Sequence, residues 1–453
     1  MLDFRAGLLP DGGTKDAGPL AVISVQNPKS AIARPVEIPG PAALARSGSL
    51  LIVGLALIAL LLKLAIAFNT FGSSDPVIFY TFAKSLYADG LEWTYRHSPL
   101  FNHPPLVAHF LQLIFNLDQN AGLRSSGLTF PVLLRIPGIL ADFIVVLVLL
   151  RIRNRYPQAA IPTWSLVLFA LSPVSLMVSG FHGNTDPIMV MFLVLAAYMS
   201  MRNRPILAGL LLALSCQIKI VPLFLVPIFF FFWTERNRGV RFVLAFAVTL
   251  LLFWSEALLN FPAPFFKNVL SYSGFWGLWG VTYWLRLTGL SEFATVNFFH
   301  LPLSETIVMT VLKGIIVASV LTLAWRRRQL GEKELFGSLA CAWILFFVFT
   351  PSASAQYMVW LAPFVLIFAP VFYAWLTAAS SLFLFFFYNI TAGSFPWYFS
   401  MSTEKLNTVW TPWTIWPWAT LLAGMIVLWQ QARKADPSLR LFSFATVSRN
   451  ANG

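Results

Sequence analysis

Asp75 stands in F-N-T-F-G-S-S-D-P, residues 68–76, directly after the first long apolar run of the chain. A carboxylate at a lipid–water boundary can act as general base toward a hydroxyl. Pro76 equally suits the first turn of a helix capped by Asp75, so the same residues also read as an ordinary helix start. A second polar group, G-F-H-G-N-T-D-P at 180–187, puts His182, Asn184 and Asp186 into a tight turn between two apolar runs. Turns use Gly, Asn and Asp for backbone reasons, whereas the histidine exceeds that need. Lys219, in C-Q-I-K-I-V-P, interrupts apolar sequence, where an ionisable group is costly and either functions or snorkels toward headgroups. His103 lies in F-N-H-P-P-L, residues 101–106, an extended stretch whose tandem prolines are sufficient to break a helix. Arg135 and Asp142, seven residues apart on one helical face, read as a structural intramembrane ion pair.

These groups must be positioned by membrane helices. Of the 453 residues 58% are hydrophobic and 11% charged, against roughly 45–50% and about 25% in soluble domains, which excludes a water-soluble fold. The expected class is an all-α polytopic membrane protein with about twelve spans, at 50–68, 130–150, 164–178, 187–201, 206–218, 221–233, 240–259, 307–325, 335–349, 357–369, 371–390 and 410–429. Cys216 and Cys341 sit inside apolar runs without metal-ligand spacing and read as small core residues.

Charge orients the chain. The net +13 resides in short basic connections: Arg151/Arg153/Arg155, Arg202/Arg204, Arg236/Arg238/Arg241, Arg326/Arg327/Arg328/Lys333, and a tail with Arg433, Lys434 and Arg440. Short basic loops mark the cytoplasmic side, so the charge reports topology and no nucleic-acid partner is implied. Residues 1–47 read as a disordered cytoplasmic tail, 48–430 as the transmembrane domain and 431–453 as a second cytoplasmic tail. The opposite face receives two long segments, 69–129 (helical) and 260–306, together with His97, His103, His109, His182 and His300. In the second, Trp276, Trp279, Tyr283 and Trp284 beside Lys267 and Arg286 read as an interfacial aromatic belt, with a sugar- or lipid-binding rim as the rarer reading.

The order of these features resembles the GT-C superfamily of membrane glycosyltransferases, which take sugar from polyprenyl- or dolichyl-phosphate carriers. Asp75 looks like the family's catalytic carboxylate in the first outer loop, and R-I-P-G-I-L-A-D at 135–142 is similar to its second membrane segment. Residues 180–222, ending in C-Q-I-K-I-V-P, look like its central helices. A-Q-Y-M-V-W-L-A-P at 355–363 is similar to the Q-Y-x-x-W-x-x-P pattern of bacterial members and of mannosyltransferases of GPI-anchor assembly. Relatives often pair two acids in the first loop, whereas Asp75 is flanked by Ser74 and Pro76, which leaves Asp186, Asp89 and Glu92 as substitute bases.

The resemblance implies transfer of a hexose, mannose-like, from a polyprenyl-phosphate carrier to a glycan or lipid acceptor on the extracytoplasmic face, with inversion at the anomeric carbon. Such transfer needs a base for the acceptor hydroxyl and a cation or dipole for the departing phosphate. Asp75 takes the first role and Lys219 leads for the second, with His103, His182 and Arg286 as alternates; Gln356 and Tyr357 line the pocket. No outer loop offers a compact cluster of carboxylates and histidines, so a divalent metal is not demanded and no cofactor is expected. A bacterial inner (plasma) membrane is favoured over the endoplasmic reticulum. The rivals are a multi-pass secondary transporter or flippase, which would show matching repeats, and an O-antigen polymerase or ligase, which would carry its basic residues in large late outer loops.

Overall fold

The computed structural model describes residues 41–271, 274–294, 301–401 and 412–435. His300, and nearly all of the two tails expected at 1–47 and 431–453, lie outside the described residues. The chain divides into two units, Met1–Ala45 and Arg46–Gly453, and, apart from the first residues of α1, everything below concerns the second.

Helix α1 (Pro41–Asn69) is followed by four helices, α2 (Asp75–Ala88), α3 (Gly90–His97), α4 (Pro105–Asp118) and α5 (Ala121–Ser125), which fill the stretch before the long α6 (Phe130–Arg155). The expected helical character of that first loop is therefore what the backbone shows. Next come α7 (Thr163–Ala170), α8 (Pro173–Ser175), a π-helical turn over Leu176–His182, α9 (Asp186–Met201) and α10 (Pro205–Ile218). A 3-10 turn at Val221–Leu225 leads into α11 (Val226–Thr234), then α12 (Gly239–Asn260), α13 (Pro262–Phe265) and α14 (Gly280–Leu287). The chain continues with α15 (Leu303–Arg326), α16 (Glu332–Phe349), a 3-10 turn at Ala355–Val359, α17 (Ala362–Phe368) and α18 (Pro370–Ala392), and the last described helix is Ile415–Ala435.

Among the described residues six helical stretches are long and apolar enough to cross a membrane: Gly48–Asn69, Phe130–Arg155, Thr163–His182, Gly239–Asn260, Leu303–Arg326 and Pro370–Ala392. At 1.5 Å per residue, 22 residues reach about 33 Å, enough for a hydrocarbon core of about 30 Å. Six further apolar helices are shorter, between 10 and 17 residues. Their interruptions have visible causes: Pro222 and Pro227 follow the break at Lys219, and Pro363 follows the 3-10 turn at Ala355–Val359. The protein is an all-α membrane protein, with a central and a peripheral set of helices. In α6, 61% of the apolar window is buried by protein, against 28% in Gly48–Asn69, 22% in α12 and 28% in α15. Exposed apolar side chains such as Leu259, Leu303 and Val240 are what a lipid-facing surface requires.

α10 packs between α9 and α12, α6 lies against α9, and α2 rests on α4, so that the first loop folds back onto the helices of the 180–220 region. Two tiny strands, β1 (Gly72–Ser73) and β2 (Phe399–Ser400), pair in parallel, Gly72 opposite Phe399 and Ser73 opposite Ser400.

Two sequence expectations change here. Arg135 and Asp142 do not pair: seven residues separate them by about 10.5 Å along the axis, too far for contact on one helix. Asp142 instead binds Lys63 of α1 at 2.7 Å, and Arg135 binds backbone carbonyls. The aromatic run of 276–284 is not simply an interfacial belt, because Trp276, Trp279 and Tyr283 are buried in protein and only Trp284 is exposed. Trp279 Nε1 donates to the Phe347 carbonyl at 2.7 Å, tying this segment to α16.

Candidate active site

Asp75 is held by the backbone on both of its flanks. Ser74, not Asp75, occupies the N-cap position of α2, and its side chain makes no capping bond. The carboxylate is thus left over for other partners, which sets aside its reading as a helix cap. Upstream, Arg135 donates to the carbonyls of Thr70 at 2.6 Å and Phe71 at 3.1 Å, while Phe71 N and Gly72 N donate to the Tyr398 carbonyl. Gly72 has φ +101°, and a Cβ there would lie 2.5 Å from the Phe181 carbonyl oxygen, so only glycine permits this approach. Ser73 Oγ donates to the His182 carbonyl at 2.7 Å and accepts from Asp75 N at 3.1 Å, linking the two polar stretches seen in the sequence.

His182 closes the π-helical turn and Gly183 reverses the chain with φ +83°, where a Cβ would meet the Pro76 ring at 2.8 Å. π turns inside membrane helices recur at functional sites. The reversal aims His182 Nε2 at Asp75 Oδ2, 3.1 Å away, and His182 Nδ1 at the Tyr388 hydroxyl, 2.7 Å away. An ionised carboxylate only accepts, so Nε2 carries the hydrogen; in the neutral ring Nδ1 then accepts from Tyr388. Asn184 Nδ2 donates to the same Asp75 oxygen at 2.5 Å and Gln356 Nε2 at 3.4 Å. Among the described residues all these donors converge on Oδ2, and none of them binds Oδ1. The Asp75 side chain retains 22% of its surface.

Burial pushes the Asp75 carboxyl upward, yet the charge of His182, hydrogen bonds from His182 and Asn184, and the Lys219 ammonium hold it below the usual aspartate value. It is therefore ionised at neutral pH. His103, buried between α3 and α4, is pushed down to about 4 by burial and by Lys219, against weaker opposing effects of the Ile218 carbonyl and Asp75. A neutral imidazole with Nδ1 3.4 Å from the Ile218 carbonyl donates through Nδ1.

Lys219 ends α10 in an extended conformation. Its ammonium lies 2.9 Å from Asp186 Oδ1, 4.6 Å from the Tyr357 ring centre and 5.3 Å from that of Trp360. Snorkelling toward headgroups is thereby replaced by a buried ion pair beneath two stacked rings, Tyr357 and Trp360, 3.8 Å apart. Trp360 Nε1 donates to Asp186 Oδ1, while Asp186 Oδ2 is buried and without a partner among the described residues.

Of the residues singled out from sequence, Asp75, His103, His182, Asp186, Lys219, Gln356 and Tyr357 thus form one cluster joined by contacts or electrostatic coupling. Arg286 lies on α14, its guanidinium 5.2 Å from the Tyr283 ring, with no described contact to the cluster. Of the three substitute bases, Asp186 lies in the cluster paired with Lys219, whereas Glu92 is exposed and paired with Arg96 and Asp89 is exposed at the end of α2. His109 pairs with Glu256 on the surface and His97 with its own helix. Sequence reasoning gave no role to Asn184, Tyr388 or Trp360. Trp360 was within the Q-Y-x-x-W-x-x-P pattern, but Tyr388 sits in an aromatic run that nothing local distinguishes. Among the described residues no group of three or more His, Cys, Asp or Glu side chains could hold a metal ion.

Residues 128–351 match the family model described as glycosyltransferase family 87. The matched stretch contains Arg135, His182, Asn184, Asp186, Lys219 and Arg286 and stops short of Asp75 on one side and Gln356 on the other. No curated protein matches the chain. A polytopic helical protein whose polar cluster is half built from this matched stretch is accounted for as an enzyme rather than a transporter: over residues 128–351 the chain is similar to glycosyltransferase family 87, a family of GT-C-type membrane glycosyltransferases.

Proposed function

We propose that the protein moves a hexose, mannose-like, from a polyprenyl-phosphate carrier to a hydroxyl of a glycan or lipid acceptor on the extracytoplasmic side, with inversion. The observation that carries this reading is the one-sided solvation of Asp75: donors from His182, Asn184 and Gln356 occupy Oδ2, leaving Oδ1 to receive a proton. In the transfer step the acceptor oxygen forms its bond to the anomeric carbon as the bond from that carbon to the phosphate oxygen breaks. The acceptor proton passes to Asp75, and the polyprenyl phosphate leaves with the electron pair. A carboxylate held ionised by three donors takes this proton only as the acceptor oxygen becomes acidic, late in bond formation.

Lys219 is the proposed partner of the departing phosphate, with His103, His182 and Arg286 as alternates, while Asp186 holds the lysine in the donor pocket through their ion pair. The Lys219 ammonium is bonded to Asp186 and acts electrostatically on Asp75, so donor binding must exchange the Asp186 contact for one to phosphate. Tyr357 and Trp360 offer a stacked aromatic surface on which a sugar or the lysine stem can rest. A lipid-anchored donor cannot leave the bilayer, which explains why polar groups gather where α1, the π turn and α10 end.

The same reading makes the six shorter helices crossings as well, giving twelve passes. Both termini are then cytoplasmic, the segments 69–129 and 260–306 are outside, and the host membrane is a bacterial inner membrane. Incubating purified protein with a panel of polyprenyl-phosphate hexoses and a glycolipid acceptor tests the proposal: glycosylated acceptor and free polyprenyl phosphate should form together. Release of neither from any donor in the panel would overturn it.

A further inference from the structure

Lys63, Asp142, Ser175 and Ser179 form a second polar cluster that the transfer step does not use. Lys63 is a charged side chain within a membrane-spanning helix and is nearly fully buried. Its ammonium lies 2.7 Å from Asp142 Oδ2 and 2.5 Å from Ser175 Oγ. Ser175 Oγ donates to the same carboxylate oxygen at 2.5 Å, and Ser179 Oγ donates to it as well.

A buried ion pair is poor evidence of stability, because desolvation offsets most of its attraction. Its placement is informative. Ser175 immediately precedes the Leu176–His182 turn and Ser179 lies within it. Gly180 abuts the Lys63 backbone so closely that a Cβ would sit 3.3 Å from Lys63 Cα. Two helical turns along the same face of α6, Arg135 donates to the carbonyls of Gly180 and Phe181. One face of α6 therefore grips this turn at two points, and α1 packs against it from another side. A π turn has wider, less common hydrogen bonding than an α-helix and gains from such external contacts. A charged acceptor strengthens the serine bonds beyond what a neutral amide would provide.

We infer that the Lys63–Asp142 pair, acting through Ser175 and Ser179, is a positioning clamp that holds the Leu176–His182 turn and so keeps the His182 ring against Asp75. Its effect on transfer rests on the reading of Asp75 as the base; its effect on the turn does not. These are positioning residues, with no contact to substrate.

Two variants of the full-length protein test it, Ser179→Ala and the apolar pair Lys63→Met with Asp142→Leu. Hydrogen-exchange mass spectrometry should show residues 177–183 exchanging roughly tenfold faster, with other helices unchanged. Ser179→Thr, which keeps the hydroxyl, should restore protection. In transfer assays kcat should fall about tenfold while KM for the donor stays within about twofold, because the pairing of His182 with the base is disturbed whereas Lys219, the lead phosphate partner, sits at the end of α10 outside this turn. Unchanged exchange at 177–183 in Ser179→Ala, or a uniform rise across all helices, would overturn the clamp. Should the double variant fail to fold, Ser179→Ala decides alone. If wild-type protein transfers no sugar, the proposed function fails while the exchange result still judges the clamp.

Discussion

His182 Nε2 lies 3.1 Å from Asp75 Oδ2, joining residues that are 107 positions apart in the chain. The contact is possible because α2 starts with its N-cap side chain unused for capping and because Gly183 turns the end of the π segment back on itself. The result is a carboxylate with one oxygen engaged by protein and the other available.

Asp75→Asn keeps the size of the side chain and removes its basicity. Transfer should drop by about 10²–10⁴, the usual contribution of a general base, while detergent-solubilised protein keeps its elution profile. Near-wild-type turnover in a radiolabelled-donor assay would remove Asp75 from the mechanism.

Tyr388→Phe deletes the hydroxyl 2.7 Å from His182 Nδ1. The imidazole loses the second hydrogen bond that fixes its ring orientation against Asp75, so kcat should fall about tenfold with donor KM nearly constant. His182→Gln, which loses both contacts at once, should cost more. Equal kinetics in wild type and Tyr388→Phe would show that this hydroxyl does not position the ring.

Lys219→Met leaves Asp186, fully buried, without its ammonium. Removing one partner of such a pair typically destabilises by about 3–5 kcal/mol. Adding Asp186→Asn should recover most of the thermal stability, yet donor KM should remain raised at least tenfold if Lys219 binds phosphate. Recovery of both stability and donor affinity in the double variant would assign the lysine a purely structural part.

Stability should fall as pH drops from 6.5 toward 4. The folded state holds His103 neutral down to about 4, whereas the unfolded chain binds a proton from about 6.5. Between those values the unfolded state carries the extra proton, so acid favours unfolding; the full effect is on the order of 3 kcal/mol. Asp75 acts in the same direction at still lower pH, since its depressed value makes its contribution present above the ordinary carboxylate range and lost as pH falls through the folded value. His103→Asn preserves a donor toward the Ile218 carbonyl and should flatten the decline between pH 6.5 and 4. Thermal unfolding scans of both proteins across that range measure it.

Tyr87, exposed near the end of α2, reports the orientation. Tyr87→Cys should react with a membrane-impermeant maleimide added outside intact cells, whereas Glu235→Cys, directly before Arg236 and Arg238, should react only after permeabilisation. The opposite pattern would reverse the proposed topology.

How much of this was legible without coordinates depends on distance along the chain. Apolar runs of membrane length and the clustering of arginines in short loops are local properties, and they sufficed to establish an all-helical membrane protein and to single out Asp75, His182 and Lys219 as polar groups near helix ends. Periodicity also put Arg135 and Asp142 on one face of α6, but it could not say what each touches. Tertiary packing gave Asp142 to Lys63 and Arg135 to the carbonyls of 70–71 and 180–181, because a helix aligns residues without bringing them together. Lys219 looked equally able to snorkel until Asp186, Tyr357 and Trp360 were found around its ammonium. Tyr388 carried no local signal at all, since its role comes only from α18 passing beside the π turn. Hydrophobic patterning is written into neighbouring residues, whereas the partners of a buried polar group are decided by which distant segments the folded chain brings within hydrogen-bonding reach.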